Sequence, residues 1–176
     1  MTTSRTLLAL SFTVFSAFGS AARAGEPDPK IAGTYAFSGG EAETKALSAA
    51  IEECVSKMNV MARGIARGRL EQGNAPTAEV KITLAGKDIT IARTGKPAIT
   101  ASSDGSKVTR NTISGPAEVT YVADHDKIVQ TMQGKSSLST NVFSLGPDGT
   151  TLTISTKIVS PRLPAPVQYK MTYKRK

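Results

Sequence analysis

From about residue 80 onward the chain is a succession of short alternating runs, each closed by a turn signal, and that rhythm limits the fold more than any other feature. Apolar residues recur at every second position in Val80-Ile82-Leu84, Ile89-Ile91, Val119-Tyr121, Leu152-Ile154-Thr156-Ile158 and Val167-Tyr169-Met171-Tyr173. This is the period of a strand with one buried face. Between the runs lie Ala85-Gly86-Lys87, Asp104-Gly105, Ser114-Gly115-Pro116, Asp124-His125-Asp126, Gly134-Lys135 and Pro147-Asp148-Gly149, residue types that supply tight turns. Links of hairpin length join antiparallel neighbours, so the runs form a meander. A meander leaves two unpaired edges, and rolling the sheet into a barrel removes them.

The segment before the meander has a different period. Ile31 to Ser38, with Gly33-Thr34-Tyr35-Ala36-Phe37 at its centre, reads as a first strand, ended by Gly39-Gly40. From Glu41, apolar residues step by three and four: Leu47, Ile51, Cys54, Met58, Met61 and Ile65 mark one buried helix face. Asn59 and Gly64 are the two places where that segment can divide, and Gly73-Asn74-Ala75-Pro76 stops it. Glu41 and Glu43 at its start, with Arg63, Arg67 and Arg69 at its end, complement a single helix dipole. Gly64 and Gly68, one turn apart, would let the helix approach the sheet closely. The expected architecture is therefore mainly β: an antiparallel up-and-down barrel of about ten strands with a helical segment after the first.

The amino terminus predicts export. One positive charge in Met1 to Arg5, an apolar and small-residue run from Leu7 to Phe18, and Ala22-Arg23-Ala24 before Gly25 form a signal-peptide pattern over residues 1–24. Residues 25–176 then make one domain in the periplasm or outside the cell. Removing Arg5 and Arg23 lowers the lysine and arginine total from 22 to 20 against 14 acids, leaving a net charge of +6. That balance suits contact with an anionic membrane surface. Nucleic acid is disfavoured, because the expected export removes the chain from it and clustered aromatics interleaved with basic residues, which would stack on bases, are lacking. The lone cysteine, Cys54, falls on the apolar helix side and reads as a buried hydrophobe.

Strand, helical segment and then hairpins, together with Gly33-Thr34-Tyr35, resemble the calycin superfamily, and most closely its fatty-acid-binding-protein type. Calycins begin with Gly-x-Trp and place a basic residue on the last strand across that tryptophan. Here Tyr35 stands for the tryptophan, and Arg175 shares parity with Val167, Tyr169, Met171 and Tyr173. The resemblance thus implies a barrel-end cap of Tyr35 and Arg175, a helical lid, and a hydrophobic or amphipathic ligand inside the barrel.

Catalytic patterns are scarce. The chain has one histidine, His125, within Asp124-His125-Asp126, which reads as a metal or base cluster or, more simply, as a polar hairpin turn. No nucleophile elbow, P-loop, dinucleotide fingerprint or paired-cysteine motif occurs. No cofactor, metal or catalytic residue is expected. The candidate pocket residues are the large inward positions Tyr121, Met132, Phe143, Tyr169 and Met171, with polar Thr109, Asn111, Gln130 and Asn141 among them. They serve equally as a packed core or as the wall of a cavity. Arg63 and Arg67, at i and i+4, are the candidates for an anion contact at a portal. Two functions follow as expectations. One is an exported, non-enzymatic binder of a lipid-like molecule. The other is an envelope-associated interaction protein with a filled barrel, whose basic surface, including Lys170, Lys174 and Lys176, meets anionic lipid or a protein partner.

Overall fold

The computed structural model describes residues 26–112 and 115–176. The expected signal peptide and the turn residue Ser114 lie outside them. A 3-10 turn, Pro29–Ile31, precedes strand β1 (Gly33–Phe37), followed by helices α1 (Gly40–Val55) and α2 (Val60–Asn74). Nine strands complete the chain: β2 (Glu79–Ala85), β3 (Asp88–Arg93), β4 (Lys96–Ser102), β5 (Val108–Thr112), β6 (Gly115–Asp124), β7 (Lys127–Gly134), β8 (Leu138–Leu145), β9 (Thr151–Val159) and β10 (Val167–Arg175). All ten form one antiparallel sheet in the order β4-β3-β2-β1-β10-β9-β8-β7-β6-β5. Only β1 against β10 joins strands distant in sequence, and that pair draws the meander round into a barrel.

β4 and β5 are the two edges, and the seam between them is partly closed. Beyond β4, Asp104 bridges Val122, and the Gly105 amide donates to the Tyr121 carbonyl at 2.9 Å. The Tyr121 hydroxyl reaches across to the Ile99 carbonyl at 3.3 Å. The result is a nearly closed barrel of ten strands with two helices after the first, as the alternation predicts.

β1 is too short to cover β10, pairing only with Tyr173, Lys174 and Arg175. Helix α1 covers the rest of that edge. The Glu43 carboxylate accepts from the Thr172 amide and from its hydroxyl, each at 2.6 Å, so a backbone donor that lacks a strand partner is satisfied by a charged acceptor. Leu47, Ile51, Cys54 and Val55 bury the apolar face of α1. The Cys54 thiol donates to the Ala165 carbonyl at 3.1 Å, tying α1 to the proline-rich link before β10.

Several expectations are corrected. Ile31 belongs to the 3-10 turn and not to β1. The helical segment divides at Asn59, one of the two expected places, where the side chain accepts from the Ala62 amide at 2.9 Å and caps a second helix. That break resets the direction of the apolar stripe, so Met61 and Ile65 are 88% and 63% exposed. A Cβ at Gly64 or Gly68 would meet nothing within 4 Å, so neither glycine serves close packing on the sheet. Arg63 and Arg67 fall in the first two turns of α2, which removes the single-dipole account of their position. Thr109 and Asn111 are exposed, because β5 pairs Val108 with Val119 and turns the residues of opposite parity outward.

At the barrel end where β1 begins and β10 finishes, the Arg175 guanidinium lies over the Tyr35 ring, 4.8 Å from its centroid. It donates to the Tyr35 hydroxyl at 2.7 Å, to the Ala32 carbonyl at 2.8 Å, to the Gly149 carbonyl at 3.2 Å and to the Lys30 carbonyl. The Tyr35 hydroxyl in turn donates to the Ile31 carbonyl at 2.9 Å. Burial raises the Tyr35 pKa, and Arg175 partly offsets that. One planar cation thus links the last strand to the first strand and the turn before it through several charge-assisted bonds. Arg175→Ala should cost about 2 kcal/mol in urea unfolding, because it leaves the Tyr35 hydroxyl and partly buried carbonyls without their charged donor. Arg175→Lys should recover less than half of that loss, since an ammonium cannot reproduce the fork.

Candidate functional site

The strand registers bring five polar side chains to one level of the barrel interior. Tyr121 pairs with Gln130, Gln130 with Asn141, Asn141 with Thr156, and Thr156 with Tyr169. Partners directly opposite each other share a face, so these residues form a belt across β6 to β10. Gln130 donates to the Tyr121 hydroxyl at 2.8 Å, Asn141 to Gln130 Oε1 at 2.9 Å, and Thr156 to Asn141 Oδ1 at 2.8 Å. Tyr169 continues the belt to the lid, donating to Asn74 Oδ1 at 2.9 Å at the end of α2. Gln130, Asn141 and Thr156 are all buried, so the chain of bonds offsets the loss of water around each amide and hydroxyl. Facing the belt, Val80, Ile82, Ile89 and Ile91 of β2 and β3 form an apolar wall.

Arg93 interrupts that wall. It shares a face with Val80 and Tyr35 through the β2 register, so it points into the barrel. Its guanidinium lies over the Phe143 ring of β8, 5.3 Å from the centroid. Its backbone end borders the β3–β4 turn, but its Nη2 nitrogen is fully enclosed and has no hydrogen-bond partner. Among the described residues no carboxylate forms an ion pair with it. Burial lowers its pKa, and the nearby Tyr169, Tyr173 and Tyr121 work in the other direction. Lys96, its neighbour across the β3–β4 turn, is also lowered, by burial first and then by repulsion from Arg93.

A cavity of about 30 Å³ lies beside Arg93. Gly73 to Thr77, running from the end of α2 into the link to β2, forms its roof, and Lys96, Ile154, Thr156, Tyr169, Met171 and Tyr173 complete the lining. The Lys96 ammonium donates to the Gly73 carbonyl at 2.7 Å and pins that roof. The volume is that of a water or two.

The structure distributes the sequence candidates unevenly. Tyr169 and Met171 line the cavity, while Tyr121 and Phe143 surround Arg93 from the far side. Met132 is two residues further along β7, paired with Val119 and Ser139, away from the cavity. Arg63 donates to the Ser56 carbonyl at 2.8 Å and to the Met58 carbonyl at 3.2 Å, which holds the turn between the helices. Arg67 forms an ion pair with Glu52 of α1. Neither arginine lines the cavity. His125 adopts φ 48° in an exposed turn. Among the described residues no three His, Cys, Asp or Glu side chains gather as metal ligands. Sequence reasoning missed Arg93, Lys96 and Thr156. The signal was available for Arg93, which follows Ile89 and Ile91 at the same parity.

With this geometry established, the fold can be placed. Solved structures share it over most of their length. A secretory abundant heat soluble protein from Ramazzottius varieornatus is 13% identical, with a TM-score of 0.57, over 84% of this chain and 96% of that one. The fluorescent protein UnaG is also 13% identical, with a TM-score of 0.54, over 84% and 98%. A fatty-acid-binding protein from brain tissue of Drosophila melanogaster is 19% identical, with a TM-score of 0.50, over 80% and 95%. The fold is a fatty-acid-binding-protein-type calycin barrel. No protein-family model matches the chain, and no curated protein matches it either. At these identities the likeness is one of architecture.

Within that fold the belt has a titration signature. Burial pushes the Tyr121 pKa up to about 12 from an ordinary 10.0, against a smaller opposing effect of the Gln130 hydrogen bond and of Arg93 and Arg110. Between those values the unfolded chain releases a proton that the folded chain keeps, so stability falls as pH rises through that window. The Tyr121 contribution to that loss is on the order of 2 kcal/mol. Urea unfolding from pH 9 to 12 should therefore give a shallower alkaline decline for Tyr121→Phe than for wild type.

Proposed function

We propose that this protein is an exported, non-enzymatic binding protein that takes a hydrophobic or amphipathic small molecule of lipid type into its barrel. The observation that carries this reading is the division of the interior into an apolar wall on β2 and β3 and a fixed polar belt on β6 to β10. A site that orients an amphipathic molecule needs both. The name of the Drosophila protein of the same fold, which states fatty-acid binding, supports the same class of ligand. The cavity beneath the Gly73 to Thr77 roof holds only about 30 Å³, so admitting a chain there requires that roof to lift from Lys96 and Tyr169. Native mass spectrometry of protein purified from its own host should show a co-purifying lipid-sized mass. Delipidated protein should gain thermal stability with members of a fatty-acid and lipid panel. No added mass and no stabilisation by any panel member would reject the reading.

A second reading, contact with an anionic membrane, is favoured by α2. Val60, Met61 and Ile65 are 81%, 88% and 63% exposed, and Arg69 is exposed close by. A small apolar tip beside basic side chains suits shallow insertion among anionic head groups, with attraction that weakens as salt rises. Sedimentation with vesicles rich in phosphatidylglycerol should exceed that with phosphatidylcholine alone and fall with ionic strength. Met61→Asp with Ile65→Asp should abolish it. Equal binding to neutral vesicles, or binding unchanged in the double variant, would count against this contact.

A further inference from the structure

Helix α2 leaves one face uncovered. Met61, Gly64, Ile65 and Gly68 follow one another at three- and four-residue steps, so they share that face, and all four are exposed. A Cβ on either glycine would meet no atom within 4 Å, so nothing in the chain screens the side chains beside them. Met61 is 88% exposed and carries a thioether, which hydroperoxides oxidise where they can reach it. Among the described residues the other methionines are better shielded. Met58 packs against the core, Met132 is half-buried on β7, and Met171 is 3% exposed. The one thiol, on Cys54, is 2% exposed and donates to the Ala165 carbonyl, so it does not compete. Of the sulfurs described, that of Met61 is the one a peroxide meets first.

We propose that Met61 is an oxidation site whose sulfoxide releases α2 from an anionic membrane. The sulfur lone pair takes the terminal oxygen of a hydroperoxide, so the S–O bond forms as the O–O bond breaks. The departing hydroxide or alkoxide takes the proton from that oxygen and leaves as water or an alcohol. Sulfur is oxidised by two electrons and the peroxide is reduced by two. A thiol-dependent sulfoxide reductase reverses the change, two thiols giving a disulfide and water. The sulfoxide sets a strong dipole beside Val60 and Ile65, and placing it among acyl chains then carries a desolvation cost. Met61 is not among the residues packed on the core, so the change acts on the surface and leaves the fold as it was. The inference rests on the membrane reading of α2, in which Arg69, exposed beside this face and without an ion-pair partner among the described residues, meets the head groups.

The test treats purified protein with limiting hydrogen peroxide, follows each methionine by peptide mass spectrometry, and sediments every sample with phosphatidylglycerol-rich vesicles. Met61 should gain an oxygen about tenfold faster than Met171, and ahead of Met58 and Met132. Vesicle binding should fall about fivefold in step with that gain. The two sulfoxide reductases, one for each epimer, should restore it in the presence of dithiothreitol. Met61→Leu should bind vesicles as wild type does and keep that binding after peroxide. Met61→Gln should bind weakly without any peroxide.

Three results overturn the switch while leaving the membrane contact in place: oxidation of Met58 or Met132 ahead of Met61, binding that survives full Met61 oxidation, and an equal loss of binding in Met61→Leu. Untreated protein that fails to bind the vesicles rejects the membrane contact, and the switch with it. Protein oxidised at Met61 alone should keep the urea midpoint of the untreated sample. A fall in that midpoint would trace the lost binding to unfolding and would overturn the surface switch.

Discussion

The antiparallel pairing of β1 with β10 is the contact on which the rest of the molecule depends. Every other strand pair joins sequence neighbours through local turns, or β1 to β2 across the two helices, and would form in an open sheet. Tyr35, Ala36 and Phe37 pair with Arg175, Lys174 and Tyr173 to bring the first and last strands together, and amides of Lys176 and Ser38 donate to the Thr34 and Thr172 carbonyls at either end. Three residue pairs are a thin seam, and Arg175 reinforces it by binding the Lys30, Ala32 and Gly149 carbonyls while covering the Tyr35 ring. The same short β1 leaves most of the β10 edge opposite β9 without a strand beside it. That opening lets α1 dock through Glu43 and Cys54, and α1 in turn positions the lid. Closure and lid are therefore consequences of one economy in strand length.

Inside the barrel two opposite solutions to burying polarity stand side by side. The belt from Tyr121 to Thr156 passes donor to acceptor along successive strands and leaves its amides satisfied. Arg93 does the reverse, keeping a charge in a low-polarity interior with an aromatic face and one donor unmet. A structure selected for stability alone would gain by replacing it with an apolar residue of similar volume. It lies next to Lys96, under a roof held by hydrogen bonds from Lys96, Tyr169 and Tyr173.

The candidate site was half legible. Tyr121, Phe143, Tyr169 and Met171 were readable as inward positions because strand parity is a local property. Gln130 and Asn141 were readable as polar residues among them. Their assembly into one belt depends on register between strands, which parity does not fix. Thr109 and Asn111 were misplaced for the same reason, since a shift of one residue in β5 reverses every side chain. On α2 the stripe through Met61 and Ile65 failed because a cap at Asn59 interrupts helical phase, and nothing in a three- and four-residue spacing records that rotation.

The sequence by itself determined the class of fold: alternation fixed which residues are strands, hairpin-length turns made the strands antiparallel, and one change of period located the helices. These are short-range effects, set by residues within a few positions of one another. Tertiary structure alone decided where charge resides. Arg63, Arg67 and Arg93 are the same side chain, and sequence gave the first two a portal role and the third none. Folding ties the first to backbone carbonyls of the helix turn and the second to Glu52, and encloses the third. Partners are set by which distant surfaces meet when the barrel closes, and that information lies in the register of β1 on β10 rather than in any local run of residues.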